Sequence, residues 1–405
     1  MGYSFGREDV AFLGSAAGIA ALAEVDRLEL TSATHLRDLE RVRRAHEDRA
    51  ASLVETVRLR RRATAKLADA ETWLFTDDAL QQATPTLVAR HRAARLAGRA
   101  VHDVTCSIGA ELAELARACP SVIGSDLDDV RLSMAAHNLA DARNVLLAKA
   151  DALASCSVGT VVIADPARRA DGRRTHDPAK LQPPLPDLLL AYPGRDLAVK
   201  CAPGLDFDRL DWSGEVEVVS LDGAVREACL WSQGLAESAT RRATVLNSHG
   251  ETWTLTDTES DEIPEQEPGE WIIDPDGAVV RAGLVRHYAA KHGLWQLDPR
   301  IAYLTGNQVP EGVRGFRIID RLEYREKSLR TELRKRECGA LEILVRGVDV
   351  DPDQLRRRLK PSGSQPYTLV ITRIGRNAAA FLCTAHGTRG ATGDARLPAL
   401  PTAPV

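Results

Sequence analysis

Residues 101–126 read VHDVTCSIGAELAELARACPSVIGSD. The apolar run ending at Asp103-Val104-Thr105 predicts a strand, and the small residues Cys106-Ser107-Ile108-Gly109 predict a tight turn. A helix follows at once, with Leu112, Leu115 and Ala116 on one face. A second strand, Val122-Ile123, then ends on Asp126. Main-chain N–H groups at such a turn and helix start can approach a polar ligand closely, because small side chains leave the backbone bare. An acid at the end of the next strand suits the two hydroxyls of a ribose. The stretch therefore predicts a site for a nucleotide-like cofactor.

Outward from this stretch, residues 97–232 alternate strands and helices. Strands are expected at 101–105, 121–126, 144–148, 160–164, 195–201, 215–221 and 224–231, with helices near 108–118, 127–140 and 206–210. The alternation predicts an α/β fold with a mostly parallel, doubly wound sheet of seven strands, the last two closing as an antiparallel hairpin at Gly223. Each of the first four strands ends in or is followed by an acid: Asp103, Asp126, Asp151 and Asp165. Doubly wound sheets bind ligands at the carboxyl edge of their strands, so the four acids are expected to meet there.

Residues 1–95 read as all helical, with candidate helices Glu8–Ala23, Ser32–Arg62 and Leu80–Leu96. Thr76 is placed to cap a helix. Arg58, Arg60, Arg61, Arg62 and Lys66 read either as a solvated helix face or as a phosphate-binding face. Gln81-Gln82-Ala83-Thr84-Pro85 reads as a linker with a proline at a helix start, or as a lid over the cofactor with Thr84 and His91 nearby.

Residues 251–276 carry ten acids and no lysine or arginine, which predicts an exposed acidic loop or linker. A short helix is expected over Ala278–His292 and a strand over Ile301–Leu304. Residues 316–384 follow a β-α-β-α-β-β order, a small α+β module. Its basic residues cluster, Arg334 and Arg357 among them, and no acid occurs from 354 to 384. That balance fits local contact with RNA or DNA, or an ordinary solvated surface. The expected domains are an N-terminal helical domain (1–95), an α/β domain (96–250), an acidic linker and connecting segment (251–315), the α+β module (316–385) and a disordered tail (386–405).

Composition bounds the function. The 405 residues are 44% hydrophobic, enough for sizeable cores, and the net charge of −4 confines any nucleic-acid surface to a local patch. The seven cysteines form no CxxC pair, which fits reduced thiols and a cytoplasmic location better than a disulfide framework or a zinc site. The histidines show no HExxH or paired spacing, so no metal is expected. No run of 18 apolar residues predicts a membrane span, and no basic-then-apolar leader is seen. The absence of a GxGxxG turn disfavours a dinucleotide.

The ordered ladder of acids over 97–232 resembles the class I S-adenosylmethionine-dependent methyltransferases. The resemblance implies a seven-stranded Rossmann-like sheet, here with an N-terminal helical domain and a small C-terminal α+β module. It implies S-adenosyl-L-methionine as cofactor. Carried over, Asp103, Thr105, Cys106, Ser107 and Gly109 line the methionyl side, with Thr84 on the lid, while Asp126 binds the ribose and Asp151 the adenine. The turn reads Cys-Ser-Ile-Gly where the family commonly has Gly-x-Gly.

Four stretches resemble more narrowly the bacterial methyltransferases with a C-terminal THUMP-like domain: LFTDDALQQATPTLVARHRAARL (74–96), IADPARR (163–169), WIIDPDGAVVRAGLV (271–285) and LEILVRGVDVDPDQLRRRLK (341–360). THUMP modules grip structured RNA, so this resemblance implies an rRNA or tRNA substrate, with Arg169, Arg334 and Arg357 as contacts. Asp165-Pro166-Ala167-Arg168 stands where amino-methylating relatives carry Asp/Asn-Pro-Pro-aromatic. Asp165 and Pro166 are thereby expected to hold the acceptor amine, and Arg168 to stack on the base or clamp phosphate. Cys201, at the end of the fifth strand, reads as a small core residue or as the nucleophile of a carbon-5 methylation, with Lys200 lowering its pKa. The expectation is base methylation in rRNA or tRNA. The alternatives are methylation of protein or a small molecule, or a non-catalytic RNA-binding protein on the same fold.

Overall fold

A computed structural model describes residues 3–167, 169–170, 173–174, 177–210 and 212–386, with the main chain alone at 169–170, 173–174, 208 and 385–386. The chain divides into two units. One runs to Thr258 and takes in Gly277–Leu284; the other consists of Glu259–Asp276 and the residues from Val285 on.

In the first unit the N-terminal periodicity does form helices, but each expected long helix is cut in two. The first becomes α1 (Arg7–Leu13) and α2 (Ala16–Val25), because the Ser15 hydroxyl accepts the Gly18 N–H at 3.1 Å and starts a new helix. The second becomes α3 (His35–His46) and α4 (Ala50–Ala63), parted where Glu47 takes φ 43°. The third becomes α5 (Asp77–Gln82) and α6 (Thr86–Arg95), parted before Pro85, which has no N–H to continue a helix. Thr76 caps α5 as expected, accepting the Ala79 N–H at 3.1 Å. Leu13, Leu53, Leu59, Leu74 and Phe75 bury into one core, which Ile108 and Met134 also enter.

The arginines at the end of α4 hold loops. Arg60 donates to the carbonyls of Thr72 (2.7 Å) and Trp73 (2.8 Å), Arg61 to those of Asp26, Leu28 and Glu29, and Arg62 pairs with Asp77 at 2.6 Å. Three members of the expected phosphate-binding face are thus engaged within the chain.

The sheet of this unit follows: β1 (Ala100–Asp103), α7 (Ala110–Ala118), β2 (Ser121–Asp126), α8 (Asp129–Asn138), β3 (Val145–Lys149), β4 (Val161–Ala164), a small ribbon of β5 (Arg169–Ala170) and β6 (Arg173–Arg174), α9 (Leu185–Ala191), β7 (Leu197–Cys201), β8 (Glu215–Leu221), β9 (Ala224–Trp231), β10 (Arg241–Leu246) and β11 (Thr252–Thr256). The main sheet runs β11-β10-β8-β9-β7-β4-β1-β2-β3. β1 to β4 and β7 are parallel, and β9 lies antiparallel between β7 and β8. The seven expected strands are all present, but the sheet has nine. β10 joins β8 in parallel and β11 closes the edge. α10 (Gly277–Arg281) packs on β8 and β10.

The physical reason for the extension is charge. Inside β8, Glu215 and Glu217 are almost fully buried. From β10, Arg242 reaches Glu215 at 3.0 Å and Thr244 donates to Glu217 at 2.6 Å. From α6, Arg95 pairs with Glu215 (2.6 Å) and Glu217 (2.8 Å), and His91 with Glu217 (2.7 Å). Arg95 also stacks on Trp231, 4.0 Å from the ring centroid. Burial alone would push the Glu217 carboxyl up, but His91 and Arg95 carry it well below the usual carboxylate range. Removing one partner of a buried ion pair strands the other, at a cost of about 3–5 kcal/mol. Arg95→Met is therefore expected to lower the urea midpoint strongly at unchanged m-value. A shift within error of the wild type would show the network to be energetically idle.

In the second unit, β12 (Trp271–Ile273), α11 (Val285–His292), β13 (Trp295–Gln296) and β14 (Leu304–Gly306) precede β15 (Gly315–Glu323), α12 (Glu326–Lys335), β16 (Cys338–Arg346), α13 (Pro352–Leu359), β17 (Gln365–Ile374) and β18 (Asn377–His386). The expected β-α-β-α-β-β order is there, but its sheet is larger, running β13-β14-β12-β15-β18-β17-β16. Strands β12 to β14 come from residues read as acidic loop and connection, where Ile272, Trp295 and Leu304 are buried. The single helix expected over Ala278–His292 is broken at Gly283, which takes φ 77°. The strand expected at Ile301–Leu304 begins only at Leu304. Of the disordered tail expected at 386–405, His386 instead ends β18, and residues 387–405 lie outside the described residues. Among the described residues, no helix is long and apolar enough to cross a membrane.

Candidate active site

The ends of β1, β2 and β4 are tied together by side chains of the ladder itself. Asp103, closing β1, accepts the Thr105 N–H at 2.9 Å and its hydroxyl at 3.3 Å, both on Oδ1. Thr105 Oγ1 in turn accepts the Asp165 N–H at 2.7 Å, joining the ends of β1 and β4. Asp126, closing β2, accepts the Ser107 N–H on Oδ2 and the Asp128 N–H on Oδ1, each at 2.9 Å. Asp128 caps α8 through the N–H groups of Val130 and Arg131. Asp151, beyond β3, is exposed and accepts the Leu153 N–H at 2.9 Å.

The turn explains its own residues. Ser107 takes φ 50° and Gly109 φ 85°, both left-handed. A Cβ on Gly109 would stand 2.7 Å from Leu139 Cδ1, the movable tip of a side chain, so it is the left-handed backbone that calls for glycine here. Ser107 carries a side chain in a region that glycine favours, and the bond from its N–H to Asp126 holds it there.

These groups surround a cavity of about 400 Å³. Of the expected site residues, Thr84, Asp103, Thr105, Cys106, Ser107, Asp126, Asp151 and Asp165 line it. Gly109 does not line it and serves the turn. Pro166 lines an adjoining cavity of about 360 Å³, which shares Thr84, Asp165 and Lys200 with the first. Arg168 lies outside the described residues, and Arg169 is described by its main chain alone, in β5. Arg334 and Arg357 are exposed on α12 and α13 of the second unit. His91 turns to Glu217 and does not line the cavity. Cys201 is 2% exposed and lines neither cavity, which leaves it as a packed strand residue. Burial pushes the Cys106 thiol well above its usual range.

Residues to which the sequence pattern gave no role at the cofactor edge complete the site; Lys200, read as a partner of Cys201, turns instead to Asp165. Lys200 is buried in β7, where its ammonium pairs with Asp165 Oδ2, donates to Thr84 Oγ1 at 2.8 Å and stands 3.9 Å from Glu227. Arg92 of α6, 3% exposed, pairs with Glu111 at 2.6 Å and with Glu227. Leu127 and Leu153 are 61% and 37% exposed and line the cavity beside Asp151. A lysine in an otherwise apolar strand, and two leucines just past acidic strand ends, were the available signals.

The donor set fits S-adenosylmethionine part by part. Hydroxyls donate, and Asp126 offers carboxylate acceptors at the cavity wall. Exposed leucines beside an acid suit a flat, partly polar ring. A free carboxylate oxygen suits an ammonium, and Asp103 Oδ2 accepts no hydrogen bond among the described residues.

Asp103 also sets a pH dependence. Burial, reinforced by Glu111 and Asp165 and partly offset by its bonds to Thr105, raises its pKa to about 7. The folded chain thus keeps a proton that the unfolded chain releases near pH 4. Stability from this group is full below pH 4 and is lost as pH rises through 7. Asp103→Asn, which keeps an oxygen for Thr105, is expected to remove that part of the slope. Melting curves of the ligand-free protein from pH 5 to 8 check it, and an unchanged slope would assign the pH dependence elsewhere.

Comparison with known proteins shows the family. The chain is 55% identical over 338 residues to uncharacterized S-adenosylmethionine-dependent methyltransferases of two Mycobacterium tuberculosis strains, H37Rv and CDC 1551 / Oshkosh, covering 81% of this chain and 94% of each relative. Its fold matches a crystal structure from Porphyromonas gingivalis W83 described as a methyltransferase, with TM-score 0.71 and 20% identity over 95% of this chain and 99% of that one. Residues 313–385 match the family described as THUMP domain-like, and residues 6–63 match a domain of unknown function. Identity of this extent over most of both chains settles the family: the protein belongs to the S-adenosylmethionine-dependent methyltransferases, and S-adenosylmethionine is its cofactor.

Proposed function

We propose that the enzyme methylates a base nitrogen in rRNA or tRNA. The observation that carries the reading is the position of Asp165-Pro166. Asp165 is shared by two adjoining cavities, one matching the cofactor's donors and acceptors and the other open to an acceptor. The THUMP domain-like match at 313–385 supports RNA as the acceptor class.

In this reading Asp126 takes the ribose hydroxyls and Asp103 the ammonium of the methionine part. Asp151, with Leu127 and Leu153, takes the adenine, and Thr84 and Thr105 line the methionyl side. S-adenosylmethionine, when bound, supplies an electrophilic methyl group on a sulfonium that leaves as a neutral thioether. The chain's own work is alignment. Lys200 and the Thr105 hydroxyl fix Asp165 from two sides. Asp165 Oδ1, which makes no hydrogen bond among the described residues, is left to accept an N–H of the acceptor amine. That bond turns the nitrogen lone pair toward the methyl group, and the Asp165 carboxylate receives the proton that the nitrogen loses on methylation. Arg168 and Arg169 follow in sequence and are proposed, on that ground, as base or phosphate contacts.

Incubation of the protein with methyl-labelled cofactor and either total RNA or total protein, both from cells lacking the gene, tests the proposal. Label in RNA, recovered as a methylated base, is expected. Label in protein alone would transfer the activity to another substrate class.

A further inference from the structure

The cavity beside Asp165 holds more positive charge than its acids can neutralise. Lys200 pairs with Asp165, and Glu227 lies between Arg92 and Lys200. Lys66 and Arg226 also line this cavity, and neither pairs with an acid among the described residues. Lys66 is half-buried, and its ammonium is fixed by the carbonyls of Leu80 and Gln81, each at 3.0 Å. Two of its three N–H donors are used, and Asp165 opposes its charge only from beyond ion-pair distance. Arg226, exposed on β9, makes one long contact of 3.4 Å to the Leu221 carbonyl. The arginines just before Lys66 are engaged by loop carbonyls and acids, whereas Lys66 faces this cavity.

Burial and the nearby charges of Lys200 and Arg226 push the Lys66 ammonium down to about 8. Holding such a group charged beside other cations is unfavourable on its own, and an anion between them reverses the sign.

We infer that Lys66 and Arg226 form an anion subsite at the mouth of the acceptor cavity that takes a phosphate group of the nucleotide whose base lies against Asp165. This rests on the reading of the acceptor as RNA. A guanidinium offers paired donors to phosphate oxygens, and a fixed ammonium adds a point charge. The phosphate would anchor the nucleotide while its base enters toward Asp165-Pro166. The helical N-terminal region, through Lys66, thereby contributes directly to substrate binding.

The test uses the full chain saturated with S-adenosylhomocysteine. Inorganic phosphate and the four nucleoside 5′-monophosphates are titrated and followed by calorimetry. Phosphate is expected to bind, with affinity falling about tenfold in Arg226→Gln and further in Lys66→Gln/Arg226→Gln, while the affinity for S-adenosylhomocysteine stays unchanged and reports an intact fold. Equal phosphate affinity in wild type and Arg226→Gln would overturn the subsite, and because Arg226 is exposed this variant does not depend on the buried network. If phosphate binding depends on both cations but no monophosphate binds more tightly than phosphate itself, the subsite stands and the nucleotide reading falls.

Discussion

Asp165→Ala is expected to lower methyl transfer to RNA by about a hundredfold or more while leaving cofactor affinity within about threefold of wild type. The asymmetry follows from where the carboxylate sits. Its main-chain N–H is held by Thr105 Oγ1 and remains so in the variant. Its side chain pairs with Lys200, which keeps Thr84 at 2.8 Å and Glu227 at 3.9 Å as partners, so the buried ammonium is not stranded. What the variant loses is the oxygen that orients the acceptor nitrogen. Displacement at carbon tolerates little misalignment, and an acceptor misplaced by about 1 Å loses about a hundredfold in rate. Calorimetry with S-adenosylhomocysteine beside a transfer assay separates the two effects. Unchanged transfer would reduce Asp165 to a strand-end turn residue, as its main-chain bond alone would permit.

Asp126→Ala is expected to have the opposite profile, with cofactor affinity falling about a hundredfold or more and transfer falling with it. Two hydroxyls donating to a carboxylate contribute about 1.5–3 kcal/mol each. Loss of both corresponds to at least two orders of magnitude in affinity. The variant also frees the Ser107 and Asp128 N–H groups, so the strained turn loses its tether. Asp126→Asn retains one acceptor oxygen and is expected to fall between wild type and alanine. Full affinity in Asp126→Ala would remove the ribose from this wall of the cavity.

These two residues were legible in the sequence because a strand followed by an acid is a local pattern. The apolar runs of β1 to β4, each with an acid at or just past its end, gave the strands and the edge at which they gather. The antiparallel insertion of β9 followed from the hairpin at Gly223. The turn was harder. Cys106-Ser107 stands where glycine is common, and only the structure shows Ser107 in the left-handed region with its N–H bonded to Asp126. That bond is the compensation that a reading of residue types alone does not supply.

What sequence reasoning missed is mostly charge. A lysine or glutamate has no address until the sheet pairs, and partners such as Lys200 and Asp165, or Arg95 and Glu217, lie far apart in the chain. His91 was drawn toward the cofactor by proximity in sequence, but Glu217 holds it elsewhere. The helix breaks at Ser15, Glu47 and Pro85 interrupt apolar periodicity without erasing it, so periodicity alone predicts continuous helices. Strands β10 and β11 were overlooked because an arginine pair opens one and exposed polar residues flank the other. Their burial depends on the acids of β8, which no window around residue 241 contains.

The central claim is that a base in rRNA or tRNA is the methyl acceptor. Mass spectrometry of the nucleosides of purified rRNA and tRNA, from a strain with the gene and from one lacking it, tests that claim most directly. The account predicts that one base-methylated nucleoside disappears on deletion, returns with the wild-type gene and does not return with Asp165→Ala. An unchanged inventory of methylated nucleosides in both RNA classes would contradict it.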